Sequence, residues 1–375
     1  MYFSRLHFLV EVNPPRVCVI DMNSRNGTWV NDRRVQTAEL RDGDRIKAGH
    51  TILKVTLQYA PGESPDDVAT VAPAAPATTT AAPTAARTGT DEPTAAPAHF
   101  PAIPGYRLER ELGRGGMGVV YLARQEPAGD AIAIKTIMPA IAPTGVQVER
   151  FLREARILEQ LRHPNIVAFR AMGEAGGLLW FAMEYVPGFD AARLLKEQGP
   201  LPVPLAIRLV SQLLQALEHA HEQGFVHRDI KPANILITEV NGKKLVKLAD
   251  FGLARVYQTS QISGLTLTGD IGGTTKFMPP EQITHYREVK PPADQYAAAA
   301  TLYNLLTGMH VYDFAGAGIE AIAMILDDEP VPIRQRRADL PQELADLIQQ
   351  ALAREPQDRF GDVKEFRQAL LPFAR

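Results

Sequence analysis

Across residues 205–221 the apolar side chains Leu209, Val210, Leu213, Leu214 and Leu217 fall three and four positions apart, the spacing of a core helix. His219 and His221 stand two apart on that helix, so they do not face one metal and are read as structural. A second helix is expected over 149–161, where Phe151, Ala155 and Leu158 share a stripe with Glu154. Among the acids there, Glu154 alone points with the apolar side chains, and a carboxylate so placed needs a partner. Glu149 and Glu159 are read as solvated. The alanine-rich segment 294–300 favours helix again. Residues 119–123 and 131–135 read as strands, the second apolar until it ends in one cation, Lys135. Near the N-terminus, short alternating runs separated by turn residues argue an all-β sandwich; one of them, 51–57, follows the turn Arg41-Asp42-Gly43-Asp44.

Ala, Pro and Thr dominate residues 61–100, which lack the large apolar side chains that could bury a core. Disorder is expected there, in a spacer of roughly 35 Å end to end. The chain thus divides into 1–60, the linker 61–100, and 101–375, a division that suits 375 residues. With 45% hydrophobic and 22% charged residues, the composition is that of a soluble protein. Forty basic against 43 acidic side chains give a net charge of −3 and no basic footprint, so no nucleic-acid partner is expected. The single Cys18 excludes an internal disulfide framework and suits a reducing, cytoplasmic setting. Neither a membrane span nor a basic-then-apolar leader is expected.

The most informative run is His227-Arg228-Asp229-Ile230-Lys231-Pro232-Ala233-Asn234, followed by Asp250-Phe251-Gly252. Five fixed positions of this kind arise by accident in roughly one chain in ten thousand. Upstream, Gly113, Gly115, Gly116 and Gly118 lie between strand-like flanks, so backbone amides could approach phosphate oxygens without side-chain obstruction. Because the second flank is a strand, a dinucleotide-binding fingerprint is disfavoured and a hairpin is expected.

Together these motifs resemble the eukaryotic-type serine/threonine protein kinases found in bacteria, over nearly all of the chain from Tyr106 onward. The resemblance implies an α+β bilobal protein-kinase fold with a small β-rich lobe and a large α-helical lobe. It implies ATP as phosphate donor with Mg2+, or Mn2+ in its place, and Ser/Thr hydroxyls of proteins as acceptors. In such a site Asp229 accepts the hydroxyl proton, Lys231 faces the transferring phosphate, and Asn234 and Asp250 hold the metal. Lys135 anchors the phosphates and pairs with Glu154, and Thr274 hydrogen-bonds near Asp229 and Lys231. Leu112 and the glycines border the nucleotide. Val120 and Ala133 lie above adenine, Leu236 below it and Met183 behind, with backbone groups of Glu184 and Val186 facing the base. Thr266 and Thr268 are expected autophosphorylation sites that Arg228 would clamp. Glu281 would pair with Arg359 in a buried contact, and Asp294 would hydrogen-bond the backbone near His227. Two departures stand out: Pro279-Pro280-Glu281 replaces the usual Ala-Pro-Glu, and alanines fill 297–300.

Ser4-Arg5-Leu6-His7, Ser24-Arg25-Asn26-Gly27-Thr28 and Leu40-Arg41-Asp42-Gly43-Asp44 resemble the C-terminal part of a forkhead-associated (FHA) domain. This implies a partial all-β FHA-like sandwich over 1–60, lacking its earlier Gly-Arg strand, with unpaired edges. Phosphothreonine peptides are the implied partner, through Ser4 at the phosphate and Asn26 on the peptide backbone, assisted by Arg5 and Arg25. The alternative to an active kinase is an inert nucleotide-binding scaffold for phosphopeptide-dependent assembly. It is disfavoured because Lys135, Glu154, Asp229, Asn234 and Asp250 are all present.

Overall fold

Alternation of apolar and polar side chains builds two small sheets in the N-terminal module, and the computed structural model resolves them strand by strand. It describes residues 8–13, 16–21, 24, 27–49, 51–57, 100–115, 118–137, 156–251, 275–284, 288–314 and 319–375. Strands β1 (Phe8–Asn13), β2 (Arg16–Asp21) and β5 (Thr37–Leu40) form one antiparallel sheet in the order β1-β2-β5. Strands β3 (Thr28–Val30), β4 (Arg33–Val35), β6 (Arg45–Ala48) and β7 (Thr51–Lys54) form the other, in the order β4-β3-β6-β7. Val17, Val19, Val30, Leu40 and Ile46 close the core between them. Asp21, 4% exposed, ties the turn before β3 by accepting hydrogen bonds from the Ser24 and Thr28 hydroxyls, both at 2.5 Å. Leu53 pairs with buried Ile46 yet is 47% exposed, an open flank at the β7 edge. Ser4, Arg5, Arg25 and Asn26 lie outside the described residues, as does 61–99 of the linker.

The small lobe is a five-stranded antiparallel sheet in the order β11-β12-β10-β9-β8. Its strands are β8 (Tyr106–Gly115), β9 (Gly118–Gln125), β10 (Ala131–Ile137), β11 (Phe169–Ala175) and β12 (Leu178–Glu184). Central β10 is buried almost throughout, and Ile132, Ile134, Ala123, Trp180 and Ala182 pack on one face. Of the helix expected over 149–161, only 156–161 is described, and 156–160 of it form a 3-10 turn that buries Leu158.

In the large lobe, α1 (Ala191–Gln198) is capped by Asp190, which accepts from the Arg193 amide at 2.8 Å. Helix α2 (Val203–Glu222) starts with proline in its first turn and buries Ile207, Val210, Leu213, Leu214 and Leu217 along one stripe. Each such Leu or Ile contributes about 1.5–3 kcal/mol by leaving water. Helix α3 (Pro280–Thr284) is short, and α4 (Pro292–Thr307) is buried on every side from Ala293 to Leu306. The alanines at 297–300 are at most 5% exposed, so the departure from the family pattern keeps the helix. Gly308, at φ 72°, stops it and donates to the Asn304 carbonyl. Helices α5 (Ile319–Asp327), α6 (Ile333–Arg336), α7 (Gln342–Ala351) and α8 (Val363–Leu370) complete the lobe, with α2 packed on α4 and α8. Beside them, β13 (Phe189–Asp190), β14 (Ile235–Val240) and β15 (Lys243–Leu248) form a small antiparallel sheet. The chain between α2 and β14, and the turn after β15, carry the polar residues of the next section. No helix among the described residues is long and apolar enough to cross a membrane.

Candidate active site

Buried Asp294 in the first turn of α4 fixes the segment that follows α2. Its two oxygens accept the amides of His227 (2.7 Å) and Arg228 (2.8 Å), and His221 Nε2 lies 2.8 Å from Oδ2. That places Asp294 as the sequence suggested, and gives His221 a partner that spacing alone did not reveal. His219 turns elsewhere, stacking on His163 with ring centroids 5.2 Å apart. The Asp229 amide settles the tautomer of the His227 ring: it donates to Nδ1 at 3.2 Å, so Nε2 carries the proton and donates to the Ala249 carbonyl at 2.9 Å. The backbone then turns sharply at Arg228, whose φ of 68° is rare for a side chain with a Cβ. Gln282 supports this turn by donating to the Arg228 carbonyl at 2.7 Å. Arg228 itself reaches the Val289 carbonyl at 3.5 Å.

Burial raises the pKa of Asp294, but the His221 hydrogen bond, the charges of His221 and His227 and the Arg228 amide outweigh it and hold the group below its ordinary 3.8. A carboxyl with a depressed folded pKa adds stability above its unfolded value and loses it as pH falls through the folded one. Asp294→Asn should therefore be less stable at pH 7 and lose less further stability than the parent below about pH 4. Urea midpoints measured from pH 7 to pH 2 test this; parallel curves would count against it.

Beyond the turn, Asp229 is held by two side chains. Asn234 Nδ2 donates to its Oδ2 at 2.9 Å and to its backbone carbonyl at 2.8 Å, and Lys231 Nζ lies 3.1 Å from Oδ2. Oδ1 is buried and has no hydrogen-bond partner among the described residues. With its amide nitrogen occupied, Asn234 keeps its side-chain oxygen as an acceptor.

Across the cleft, Lys135 on β10 is 7% exposed and pairs with Asp250 Oδ2 at 2.8 Å. Asp250 adopts φ 61°, a second strained non-glycine position, while Phe251 packs edge-on to His227 with centroids 4.6 Å apart. Burial raises the Asp250 pKa, yet the charge and hydrogen bond of Lys135, with His227 and Lys231, hold it below the usual carboxylate range. Asp250 therefore stays anionic at neutral pH. Glu154, the expected partner of Lys135, lies outside the described residues, as do Gly116, Thr266, Thr268 and Thr274.

The walls follow from strand register. Val120 stands opposite Lys135, and Ala133 is flanked by Leu122 on one side and Met183 on the other. Leu236 on β14 lies between Asp190 and Lys247. Leu112 is 36% exposed at the rim. The Glu184 amide is used by the Ala168 carbonyl at 2.8 Å, and its carboxylate is tied to Lys247 at 2.9 Å. Val186, two residues beyond the end of β12, makes no backbone hydrogen bond among the described residues. Gly118 is glycine for a reason other than phosphate approach: a Cβ there would sit 1.8 Å from the Thr136 carbonyl of the neighbouring strand. A Cβ at Gly113 or Gly115 would meet no protein atom within 4 Å, so the fold itself does not demand glycine there.

Residues 106–370 match the protein kinase domain family and residues 1–49 the FHA domain family. The chain belongs to the protein kinase domain family. Serine/threonine-protein kinase PknF of Mycobacterium tuberculosis is 38% identical over 269 residues, which cover 71% of this chain and 56% of PknF. Serine/threonine-protein kinase pkn3 of Myxococcus xanthus is 35% identical over 270 residues, 71% of this chain and 49% of pkn3. The chain spans about half the length of the curated relatives it matches. The crystal structure of the Mycobacterium tuberculosis PknI kinase domain aligns with TM-score 0.57 and 32% identity, over 73% of this chain and 98% of that one. Rad53 1-466 in complex with AMP-PNP aligns over 98% of this chain and 85% of its own, with TM-score 0.59; at 20% identity it supports the fold alone.

Within this kinase domain the Glu281–Arg359 contact is present as the sequence suggested. The two groups form a paired fork at 2.6 and 2.9 Å, with the arginine side chain wholly buried. Two positioning residues escaped the sequence, His221 and Gln282. Each acts through a backbone or carboxylate partner more than fifty residues away, which linear spacing does not record.

Proposed function

We propose that this chain is an ATP-dependent protein serine/threonine kinase that transfers the γ-phosphoryl group to Ser or Thr hydroxyls of proteins, its own activation segment included. The observation that carries the reading is Asp229: one carboxylate oxygen is held by Asn234 and Lys231, and the other has no partner among the described residues and could accept a proton. The substrate hydroxyl would attack the γ-phosphorus while its proton passes to Asp229 Oδ1, and the bond from phosphorus to the bridging oxygen would break to leave ADP. Lys231 would stabilise charge on the moving group. The hard oxygen donors of Asn234 and Asp250 suit Mg2+, with Mn2+ an acceptable substitute, and these two side chains would hold the ion, whose charge would offset that of the nucleotide phosphates. Lys135 would hold the phosphates, with Glu154 as its second partner, and Thr274 would fix the acceptor side of the loop. Leu112, Gly113, Gly115, Gly116 and Gly118 would cover the nucleotide. Val120, Ala133, Met183 and Leu236 would enclose adenine, with the Glu184 carbonyl and Val186 amide facing its edge. Arg228 would clamp phosphorylated Thr266 or Thr268. The FHA-like module, through Ser4, Arg5, Arg25 and Asn26, would bind phosphothreonine peptides, and a reducing cytoplasm suits the lone Cys18.

Lys135→Met tests the reading. It removes the phosphate anchor and leaves Asp250 without its cation, so transfer from labelled ATP should fall about a hundredfold or more. Incorporation equal to the parent's would end the proposal.

A further inference from the structure

Next to the catalytic loop lies a second cleft of about 740 Å³, within the size range of ligand sites. Its walls come from α1 and the turn after it, the catalytic loop, the 3-10 turn 275–277 and the C-terminal end of α4. Three lysines line it, Lys196, Lys231 and Lys276, and no Asp or Glu is among its described lining residues. Lys231 is committed to Asp229 at 3.1 Å, which joins this cleft directly to the proposed base. Lys196 is exposed, and half-buried Lys276 rests 5.8 Å from the Phe314 ring centroid. Neither makes an ion pair among the described residues. His310 also lines the cleft, but burial, then the charges of Lys276 and Arg336, push its imidazole down to about 4, so it is neutral at pH 7. Its buried Nδ1 has no hydrogen-bond partner among the described residues.

We infer that this cleft receives the part of a protein substrate beside the acceptor hydroxyl and selects acidic side chains there, through Lys196 and Lys276. The inference rests on the kinase reading and names its substrate class. An extended peptide advances about 3.3 Å per residue, so a chain with its acceptor at Asp229 enters the cleft within a few residues. There its carboxylates would meet two cations, and lysine or arginine in their place would meet like charge with no acid to offset it.

The test uses the full chain with MgATP and three peptides that share one threonine and differ only in flanking Glu, Gln or Lys. The Glu peptide should exceed the Lys peptide about tenfold in kcat/KM at low salt, and the gap should narrow as salt rises. Lys196→Glu, at an exposed helix position, and Lys276→Glu, checked by thermal melting, should each shrink or invert that order. Equal kcat/KM on all three peptides, or an unchanged order in both variants, overturns the acidic preference while leaving the kinase reading intact. Transfer to none of the peptides overturns the kinase reading as well.

Discussion

Asp229→Asn is expected to lower phosphoryl transfer about a thousandfold while leaving the fold in place. Asparagine keeps the size of the side chain and can still accept one hydrogen bond, so Asn234 and Lys231 need not move far. It cannot take a proton at neutral pH, because its amide presents donors where the carboxylate presented a second acceptor. The oxygen concerned is the buried Oδ1, which no side chain among the described residues satisfies. The loss should appear in kcat with little change in the KM for ATP, since on the proposed reading the residue acts when the acceptor proton moves and does not hold the nucleotide. Single-turnover transfer from labelled ATP measures this, with nucleotide affinity followed separately. A variant with parent-level kcat would remove Asp229 from the chemistry.

Legibility in the sequence differed between chemistry and conformation. The run from His227 to Asn234 pointed to phosphoryl transfer because that chemistry needs a base, a cation and oxygen donors at fixed separations, which residue identity records. The helices α2 and α4 were readable because burying a stripe, or a whole circumference, leaves a periodic trace. Strain at Arg228 and Asp250 left no trace, since neither is glycine, and at Arg228 the left-handed backbone is held by tertiary hydrogen bonds to Asp294 and from Gln282. Gly118 shows the converse: its place in a phosphate-binding pattern was legible, but the strand carbonyl that excludes a Cβ there belongs to Thr136, eighteen positions on. For Lys135 the sequence named Glu154 as partner, whereas the described contact is with Asp250, more than a hundred residues away. In the N-terminal module, alternation foretold strands and turns, while which strands neighbour one another followed only from the structure.

The second large effect is expected on stability, at Arg359. Its guanidinium forms the paired fork with Glu281 and also donates to the carbonyls of Ala353, Pro292 and Arg354 at 2.8 to 2.9 Å. It lies 5.1 Å from the Tyr296 ring centroid as well. Alanine would strand the Glu281 carboxylate, only 21% exposed, together with three carbonyls that have lost a charged donor. Breaking one half of a buried pair in this way costs about 3–5 kcal/mol. For a domain of this size that lowers the melting temperature by roughly 10 °C. Arg359→Lys should recover little of it, because an ammonium keeps the charge but cannot span both carboxylate oxygens and the three carbonyls at once. Replacing Glu281 with glutamine in the Arg359→Ala background should restore part of the loss, since the stranded charge, rather than the lost contacts alone, is then removed. Thermal melts of the three variants against the parent decide the point. A shift of under about 2 °C for Arg359→Ala would mean that α3 and the segment before α8 are held together by apolar packing, and that the fork is incidental to it.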